Sequence, residues 1–144
     1  MAGEADLRAA LPILAERGLP LLVHAELATD TTPPAGDPRR YATYLASRPP
    51  SWEREAVALL LRLCRELRAP IHVVHLSAAA AARLVAEARR EGLPMTAETC
   101  PHYLALAAEE VEDGRTEFKC APPVRERDTA AARFGPHDRQ RKLQ

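Results

Sequence analysis

Two histidines, His24 and His75, occupy the same place in two similar segments. Each ends a short apolar run, Pro20-Leu-Leu-Val-His24 and Pro70-Ile-His-Val-Val-His75. Such runs are typical of parallel strands buried on both faces, and α/β proteins place functional groups at the carboxyl ends of these strands. Because neutral imidazole binds zinc and similar metals well, the pair predicts a metal site. In the alternative interpretation, each ring is a partly buried histidine bonded to a nearby carbonyl, and the pattern alone does not separate the two.

The other histidines fit a metal site less well. His72 lies three positions before His75, so in an extended strand their side chains point to opposite faces and cannot bind one ion together. We therefore interpret His72 as structural. His102, in the predicted loop Cys100-Pro-His-Tyr103, is either a substrate contact or a surface residue, and His137 is expected in solvent.

Carboxylates and thiols offer weaker candidates. Glu26 and Glu98 flank the predicted strand ends and could act as a general acid and base, although for Glu98 we favour a role in orienting a neighbouring loop or ligand. The three cysteines, Cys64, Cys100 and Cys120, form no Cys-x-x-Cys pair, so neither a disulfide framework nor a zinc ribbon is indicated. None has a recognisable nucleophile partner, so we expect buried thiols in a reducing cytoplasm.

Composition excludes several classes of partner. Twenty basic and twenty acidic residues cancel, so no overall field attracts nucleic acid or an anionic membrane. No stretch approaches the ~20 apolar residues of a membrane span, and no glycine-rich phosphate loop occurs. A chain of 144 residues has the size of one ordinary domain.

Hydrophobic periodicity predicts alternating helices and strands. Helices are expected over residues 4–17, 51–67 and 77–91, with Gly18 and Gly92 ending two of them and Ser51 and Ser77 as N-caps. A third strand is expected over residues 93–98, followed by a loop and a short helix, whereas the proline-rich residues 25–50 favour an irregular loop. This alternation predicts an α/β fold with a parallel sheet over residues 1–126. Residues 127–144 are polar and lack an apolar period, which predicts a disordered tail.

Five segments in this order and at these intervals resemble the middle of the allantoinases. They are Leu22-Val-His24-Ala-Glu26, Ser47-Arg-Pro-Pro50, His72-Val-Val-His75-Leu-Ser77, Glu98-Thr-Cys-Pro-His-Tyr-Leu104 and Phe118-Lys-Cys-Ala-Pro-Pro-Val-Arg125. The resemblance covers about residues 4–128 and extends to the hydantoinases and dihydroorotases of the amidohydrolase superfamily. The loop Cys100–Tyr103 and the segment Lys119–Pro123 look more like allantoinase than dihydroorotase.

The resemblance implies a (β/α)8 TIM barrel that hydrolyses a ring amide, such as that of allantoin, with two zinc ions at its mouth. In these families a His-x-His pair, a carboxylated lysine, two further histidines and an aspartate hold the metals. His24 and His75 match the two further histidines, and Cys120, Ala121 and Pro122 match a segment that lies against the substrate ring. A small cyclic ureide is then the implied substrate, and the intact protein is expected to be a homo-oligomer.

Several expected residues are absent from the chain. It contains no His-x-His pair, no lysine before His24, and no Ser-Asp-His segment after Arg125, where the aspartate general base is expected. These departures predict a fragment that covers roughly strands 5 to 7 of the barrel and is inactive alone. A frameshift or a misplaced gene end would account for its polar tail, and Met1, directly before a mid-barrel helix, favours a false or internal start. Two alternatives stay open. One is a fragment of a dihydropyrimidinase, hydantoinase or dihydroorotase, and the other is a non-catalytic remnant.

Overall fold

Short parallel strands alternate with helices along the chain. The structure is a computed structural model that describes residues 2–29 and 32–128. Its helices are α1 (Glu4–Glu16), α2 (Tyr41–Ala46), α3 (Pro50–Leu67), α4 (Ala79–Arg90) and α5 (Pro101–Ala105), and its strands are β1 (Leu21–Val23), β2 (Ile71–Val73) and β3 (Met95–Ala97). Two short 3-10 helices follow, at Ala108–Glu110 and Thr116–Phe118.

The three strands form one parallel sheet in the order β1-β2-β3. Leu22, His72 and Thr96 lie opposite one another across it. The prediction of an α/β fold with a parallel sheet is therefore confirmed. Because all strands run the same way, the residues that follow β1 and β2 emerge at the same end of the sheet.

The main apolar core lies on one face of the sheet. Helices α3 and α4 pack there, and α1 packs against α3. Leu60, Ile71, Val73 and Met95 are buried in this core. Leu22, on the opposite face, is 63% exposed. The prediction that β1 is buried on both faces is thus wrong for this structure, because the described helices cover one face only.

The helix predictions are confirmed in position, but two N-caps are wrong. α3 has Pro49 as its N-cap and begins at Pro50, where the missing N–H and fixed φ of proline are tolerated. α4 has Ala78 as its N-cap. The carboxylate of Glu53 performs the capping role there, since it accepts the backbone N–H groups of Ser77 and Ala78 at 2.9 and 2.6 Å. Ser51 and Ser77 therefore do not cap.

The predicted loop over residues 25–50 contains the six-residue helix α2, which periodicity missed. Isolated helices of this length are unstable, so tertiary contacts must hold it. Its Tyr41 is buried, and the hydroxyl donates to the carbonyl of Val124 at 3.0 Å. Tyr41, Tyr103, Ala108 and Val124 form a second, smaller core cluster.

The predicted tail over residues 127–144 lies almost wholly outside the described residues. Only Arg127 and Asp128 are described, and the backbone N–H of Arg127 donates to Glu109 at 3.1 Å. Disorder of the remainder therefore stays a prediction. Among the helices within residues 2–29 and 32–128, none is long and apolar enough to cross a membrane.

Candidate metal centre

His24 and His75 lie side by side at the carboxyl end of the sheet. Nδ1 of His24 is 3.3 Å from Nε2 of His75. The ring centroids are 4.9 Å apart and the rings meet edge to face. The structure thus brings together the two histidines that the sequence places at equivalent strand ends.

The strand register accounts for this meeting. Val23 of β1 lies opposite Val73 of β2, and His24 follows Val23 directly. The N–H of Val74 still donates to the carbonyl of Val23 at 3.2 Å, so the two chains stay together beyond the strands. His75 then adopts φ +42°, in the left-handed region that is rare for residues other than glycine. This backbone turn accompanies the approach of the His75 ring to His24.

A buried carboxylate contacts the other side of the His24 ring. Oε2 of Glu26 is 2.8 Å from Nε2 of His24, and the Glu26 side chain is only 3% exposed. Arg48 pairs with the same carboxylate through Nη2, and its Nε donates to Oε1 at 3.3 Å. The Arg48 guanidinium therefore compensates the buried charge of Glu26.

The spacing of the two imidazole nitrogens fits a single metal ion. Two nitrogens that each lie about 2.0–2.1 Å from a tetrahedral zinc ion are about 3.3 Å apart. Nδ1 of His24 and Nε2 of His75 have this separation. However, no group of three or more His, Cys, Asp or Glu side chains in the described part of the chain could hold a metal. The residues present fit half of a four-coordinate site.

The outer nitrogens of the two histidines differ in their surroundings. Metal-binding histidines commonly donate their second N–H to a carboxylate or carbonyl, as the position of Glu26 allows for His24. Nδ1 of His75 is buried and has no hydrogen-bond partner among the residues described. A carboxylate therefore supports the His24 ring, while no such group supports His75.

His72 has separate contacts, in agreement with its structural interpretation. Its Nδ1 is 2.8 Å from Oγ1 of Thr96, across the sheet, and its Nε2 is 3.5 Å from Oε2 of Glu98. Glu98 is 60% exposed, whereas Glu26 is buried against Arg48. Each carboxylate thus has its own histidine partner, which does not favour the pair as a joint acid and base.

A buried ionic network that the sequence analysis missed ties together the loops around the two histidines. Oε2 of Glu53 accepts the Ser77 hydroxyl at 2.8 Å and lies 3.7 Å from Nη2 of Arg125. Nε of Arg125 donates to the Ser77 hydroxyl at 3.2 Å, and its Nη1 donates to the carbonyl of Arg48 at 2.5 Å. Arg125 therefore connects Arg48, which binds Glu26, with Ser77 in the loop after His75. One signal was available: Glu53 lies on the apolar stripe of α3, three, four and seven positions before the buried Ala56, Val57 and Leu60.

Tyrosine hydroxyls anchor the predicted substrate segment. Tyr44 donates to the carbonyl of Cys120 at 2.7 Å, and Tyr103 donates to the carbonyl of Pro122 at 2.6 Å. Ala121 is exposed and Pro122 is buried. Burial raises the pKa of the Tyr44 hydroxyl and of the Tyr103 hydroxyl above the usual value for tyrosine. These hydroxyls stay protonated at neutral pH and can donate to the segment; its role in substrate binding stays a prediction.

The thiol of Cys120 has a partner that the sequence did not reveal. Its Sγ is 3.7 Å from Nε2 of His102. Cys64 alone is the buried thiol that the sequence predicted, whereas Cys100 and Cys120 are partly exposed. His102 therefore has a neighbour inside the protein and is only partly exposed.

Comparison with known proteins gives concordant results from sequence and structure. An allantoinase from Arabidopsis thaliana is 46% identical over 127 residues, which cover 81% of this chain and 25% of that protein. An allantoinase from Streptomyces avermitilis is 53% identical over 110 residues, covering 74% of this chain and 24% of its own length. The resemblance to allantoinases is confirmed. The crystallised D-hydantoinase from Bacillus sp. AR9 matches this allantoinase-like chain with a TM-score of 0.79 at 32% identity, over 90% of the chain and 30% of that structure.

The allantoinase-like chain spans about a quarter of the length of the curated relatives it matches. No family model matches it. Its relatives are hydrolases of cyclic amides, named allantoinases and hydantoinases. One curated allantoinase is named mitochondrial, so a cytoplasmic location stays a prediction for this chain.

Proposed function

We propose that this chain is the part of an allantoinase-type, metal-dependent cyclic amidohydrolase that supplies two histidine ligands to the metal centre. The observation that carries the proposal is the 3.3 Å separation between Nδ1 of His24 and Nε2 of His75. The similarity to allantoinases at 46% and 53% identity supports the same assignment. Zinc is the proposed metal, and the parent protein supplies its remaining ligands.

A metal of this kind, when bound, would polarise the amide carbonyl and lower the pKa of its bound water to about 7. In this chain, His24 and His75 would hold the ion through Nδ1 and Nε2, and Glu26 would orient the His24 ring. The segment Cys120–Pro122 lies against the ring of the substrate, where the exposed Ala121 can offer only its backbone as a polar contact. The general-base aspartate belongs to the part of the parent that this chain does not contain.

For this chain we propose a partial TIM (β/α)8 barrel that comprises about strands 5 to 7. The parallel order β1-β2-β3 and the helices on one face of the sheet support it. In a closed barrel the other face, with Leu22, His72 and Thr96, points to the interior. The large exposed fraction of Leu22 is then explained by the absence of the facing strands.

The substrate we propose for the parent protein is allantoin, because curated allantoinases match the sequence at 46% and 53% identity. A hydantoin or dihydropyrimidine is the second candidate, favoured by the structural match to D-hydantoinase. Both are small cyclic amides that a metal-activated water can open. We further propose that the intact protein is a cytoplasmic homo-oligomer.

Cobalt binding tests the metal role directly, since Co²⁺ reports its nitrogen ligands through visible absorption. We expect weak binding of one ion to the purified chain, and a loss of affinity of more than about tenfold in His24→Ala and in His75→Ala. His72→Ala is the matched control, because His72 contacts Thr96 and Glu98 instead of the pair. Equal affinity in all four proteins, or no binding by the wild type, contradicts the proposal.

The isolated chain should not be an enzyme. Catalytic zinc sites commonly use three protein ligands, and this chain supplies two. We expect no opening of allantoin or dihydrouracil when the purified chain is assayed with added zinc. Zinc-dependent turnover that His24→Ala abolishes would show instead that the chain is active by itself.

A further inference from the structure

We propose that Glu26 is a positioning residue that fixes the tautomer of His24, so that Nε2 carries the proton and Nδ1 presents its lone pair towards His75. Use of that lone pair for a metal rests on the proposed function. The tautomer itself follows from contacts within the chain and can be measured in the metal-free protein.

The contacts of the His24 ring assign a different role to each nitrogen. Nε2 is 2.8 Å from a carboxylate oxygen of Glu26. A carboxylate only accepts hydrogen bonds, and a neutral imidazole carries one proton on its two nitrogens. The proton therefore resides on Nε2, and Nδ1, which is 3.3 Å from His75, is left as an acceptor or a metal ligand.

Burial makes the Glu26 carboxylate an effective hydrogen-bond acceptor for Nε2 of His24. Its side chain is 3% exposed, so water competes poorly for the carboxylate. Arg48 holds the carboxylate from a second direction, through Nη2 to Oε2 and through Nε to Oε1 at 3.3 Å. The carbonyl of Arg48 in turn accepts a hydrogen bond from Nη1 of Arg125 at 2.5 Å. The Glu26 carboxylate is thus held from two sides.

Both oxygens of Glu26 are occupied by this arrangement. Oε1 accepts from Nε of Arg48, and Oε2 contacts both Nη2 of Arg48 and Nε2 of His24. A residue that exchanges protons with a substrate needs an accessible oxygen, and the Glu26 carboxylate is buried. The geometry therefore favours positioning of His24 over general acid or base chemistry by Glu26.

The tautomer can be read by ¹⁵N NMR of the full chain at pH about 8, where an ordinary histidine is neutral. In the wild type we expect His24 to be predominantly protonated at Nε2. In Glu26→Ala we expect a mixture of tautomers, whereas Glu26→Gln should retain much of the bias because its amide oxygen can still accept. Predominant protonation of His24 at Nδ1 in the wild type overturns the proposal without need of any variant.

Glu98→Ala is the matched control, since it removes a carboxylate 3.5 Å from a different histidine, His72. It should change the ¹⁵N shifts of His72 and leave those of His24 unaltered. If Glu26→Ala folds, as judged by circular dichroism, and His24 keeps the wild-type tautomer, the proposal is wrong. If Glu26→Ala does not fold, the tautomer of His24 in the wild type and in Glu26→Gln tests the proposal.

Cobalt affinity separates this inference from the proposed function. Removal of a carboxylate that supports a metal-binding histidine typically lowers metal affinity about 10- to 100-fold, and Glu26→Ala should do so while Glu26→Gln has a smaller effect. If the wild type shows the expected tautomer but binds no cobalt, the positioning role stands and the metal role fails. If cobalt binds through His24 with equal affinity in Glu26→Ala, the positioning role fails and the metal role stands.

Discussion

Leu22 of β1 and His72 of β2 lie opposite each other in the parallel sheet, on the face away from α3 and α4. Leu22 is 63% exposed, although it is a large apolar residue in a strand. β1 and β3 are the outer strands of the described sheet, and outer strands present unpaired backbone groups. The sheet therefore has one face that the helices bury and that stabilises the fold, and an opposite face, with Leu22, His72 and Thr96, that the described helices leave uncovered.

This asymmetry predicts unequal effects for the same substitution on the two sides of the fold. Leu60→Ala, at a core position that is 2% exposed, should lower the free energy of unfolding by about 2–5 kcal/mol. Leu22→Ala should change it by less than about 1 kcal/mol. Urea-induced unfolding of both variants measures the difference. A cost at Leu22 as large as that at Leu60 would show that the face of Leu22 is covered in solution.

The three thiols should differ in their rates of alkylation. Cys64 is fully buried, and burial raises the pKa of its thiol, so little reactive thiolate forms. Cys100 and Cys120 are partly exposed, and we expect both to be labelled by iodoacetamide before unfolding while Cys64 is labelled only afterwards. Mass spectrometry of the labelled peptides measures the order. Early labelling of Cys64 in the folded chain would contradict the packing of α3.

Acid should weaken the contact between α3 and α4. Arg65 binds Glu91 and Glu87 across the two helices, and its hydrogen bond holds the pKa of Glu91 below the ordinary value of 4.5. A carboxyl whose pKa is lower in the folded state stabilises the fold above its unfolded pKa, and this contribution is lost as the pH falls through the folded pKa. The stabilisation should therefore be present at pH 7 and disappear below pH 4.5.

Thermal unfolding of Arg65→Met tests this pH dependence. The variant should unfold at a slightly lower temperature than the wild type at pH 7, and the difference should shrink as the pH falls through the lowered pKa of Glu91, because the protonated carboxyl no longer pairs with Arg65. Arg83→Met on α4 is the control, since Arg83 is exposed and forms no ion pair with residues 2–29 or 32–128. A difference between Arg65→Met and wild type that is independent of pH would contradict the mechanism.

Periodicity predicted the parts of the fold that depend on local sequence. The apolar stripe along α3 predicted a helix between two strands, as the structure has it. The two apolar runs that end in His24 and His75 predicted that the two rings lie close together. Helix α2 was missed because prolines dominate its surroundings and its stability comes from distant contacts, such as that of Tyr41 with Val124. Local pattern carries no information on such contacts.

The environment of the two histidines was predicted only in part. Glu26 lies only two residues from His24, so this contact is local. The contacts that hold Glu26 and Arg48 in place are not local: Arg48 is 22 positions from Glu26, and Arg125 is 77 positions from Arg48. The exposure of Leu22 could not be predicted from β1 either, since an apolar run indicates two buried faces whether or not the covering strands are present in the chain. Burial of the second face depends on segments other than β1, on which the run itself carries no information.

Among the described residues, the buried pair of Glu53 and Arg125 should be the ionic contact whose loss costs the most stability. Their side chains are 1% and 0% exposed, and Arg125→Met leaves the Glu53 carboxylate without its guanidinium. Removing one partner of a buried pair typically costs about 3–5 kcal/mol, whereas the solvent-exposed pair of Arg127 and Glu110 should contribute much less to stability. Arg127→Met is therefore the matched control in urea unfolding.

Because Glu53 also accepts three hydrogen bonds from Ser77 and Ala78, the double variant Glu53→Gln with Arg125→Met should cost less than the sum of the single variants. Additive costs, or an Arg125→Met variant as stable as Arg127→Met, would show that the two side chains do not act as a pair.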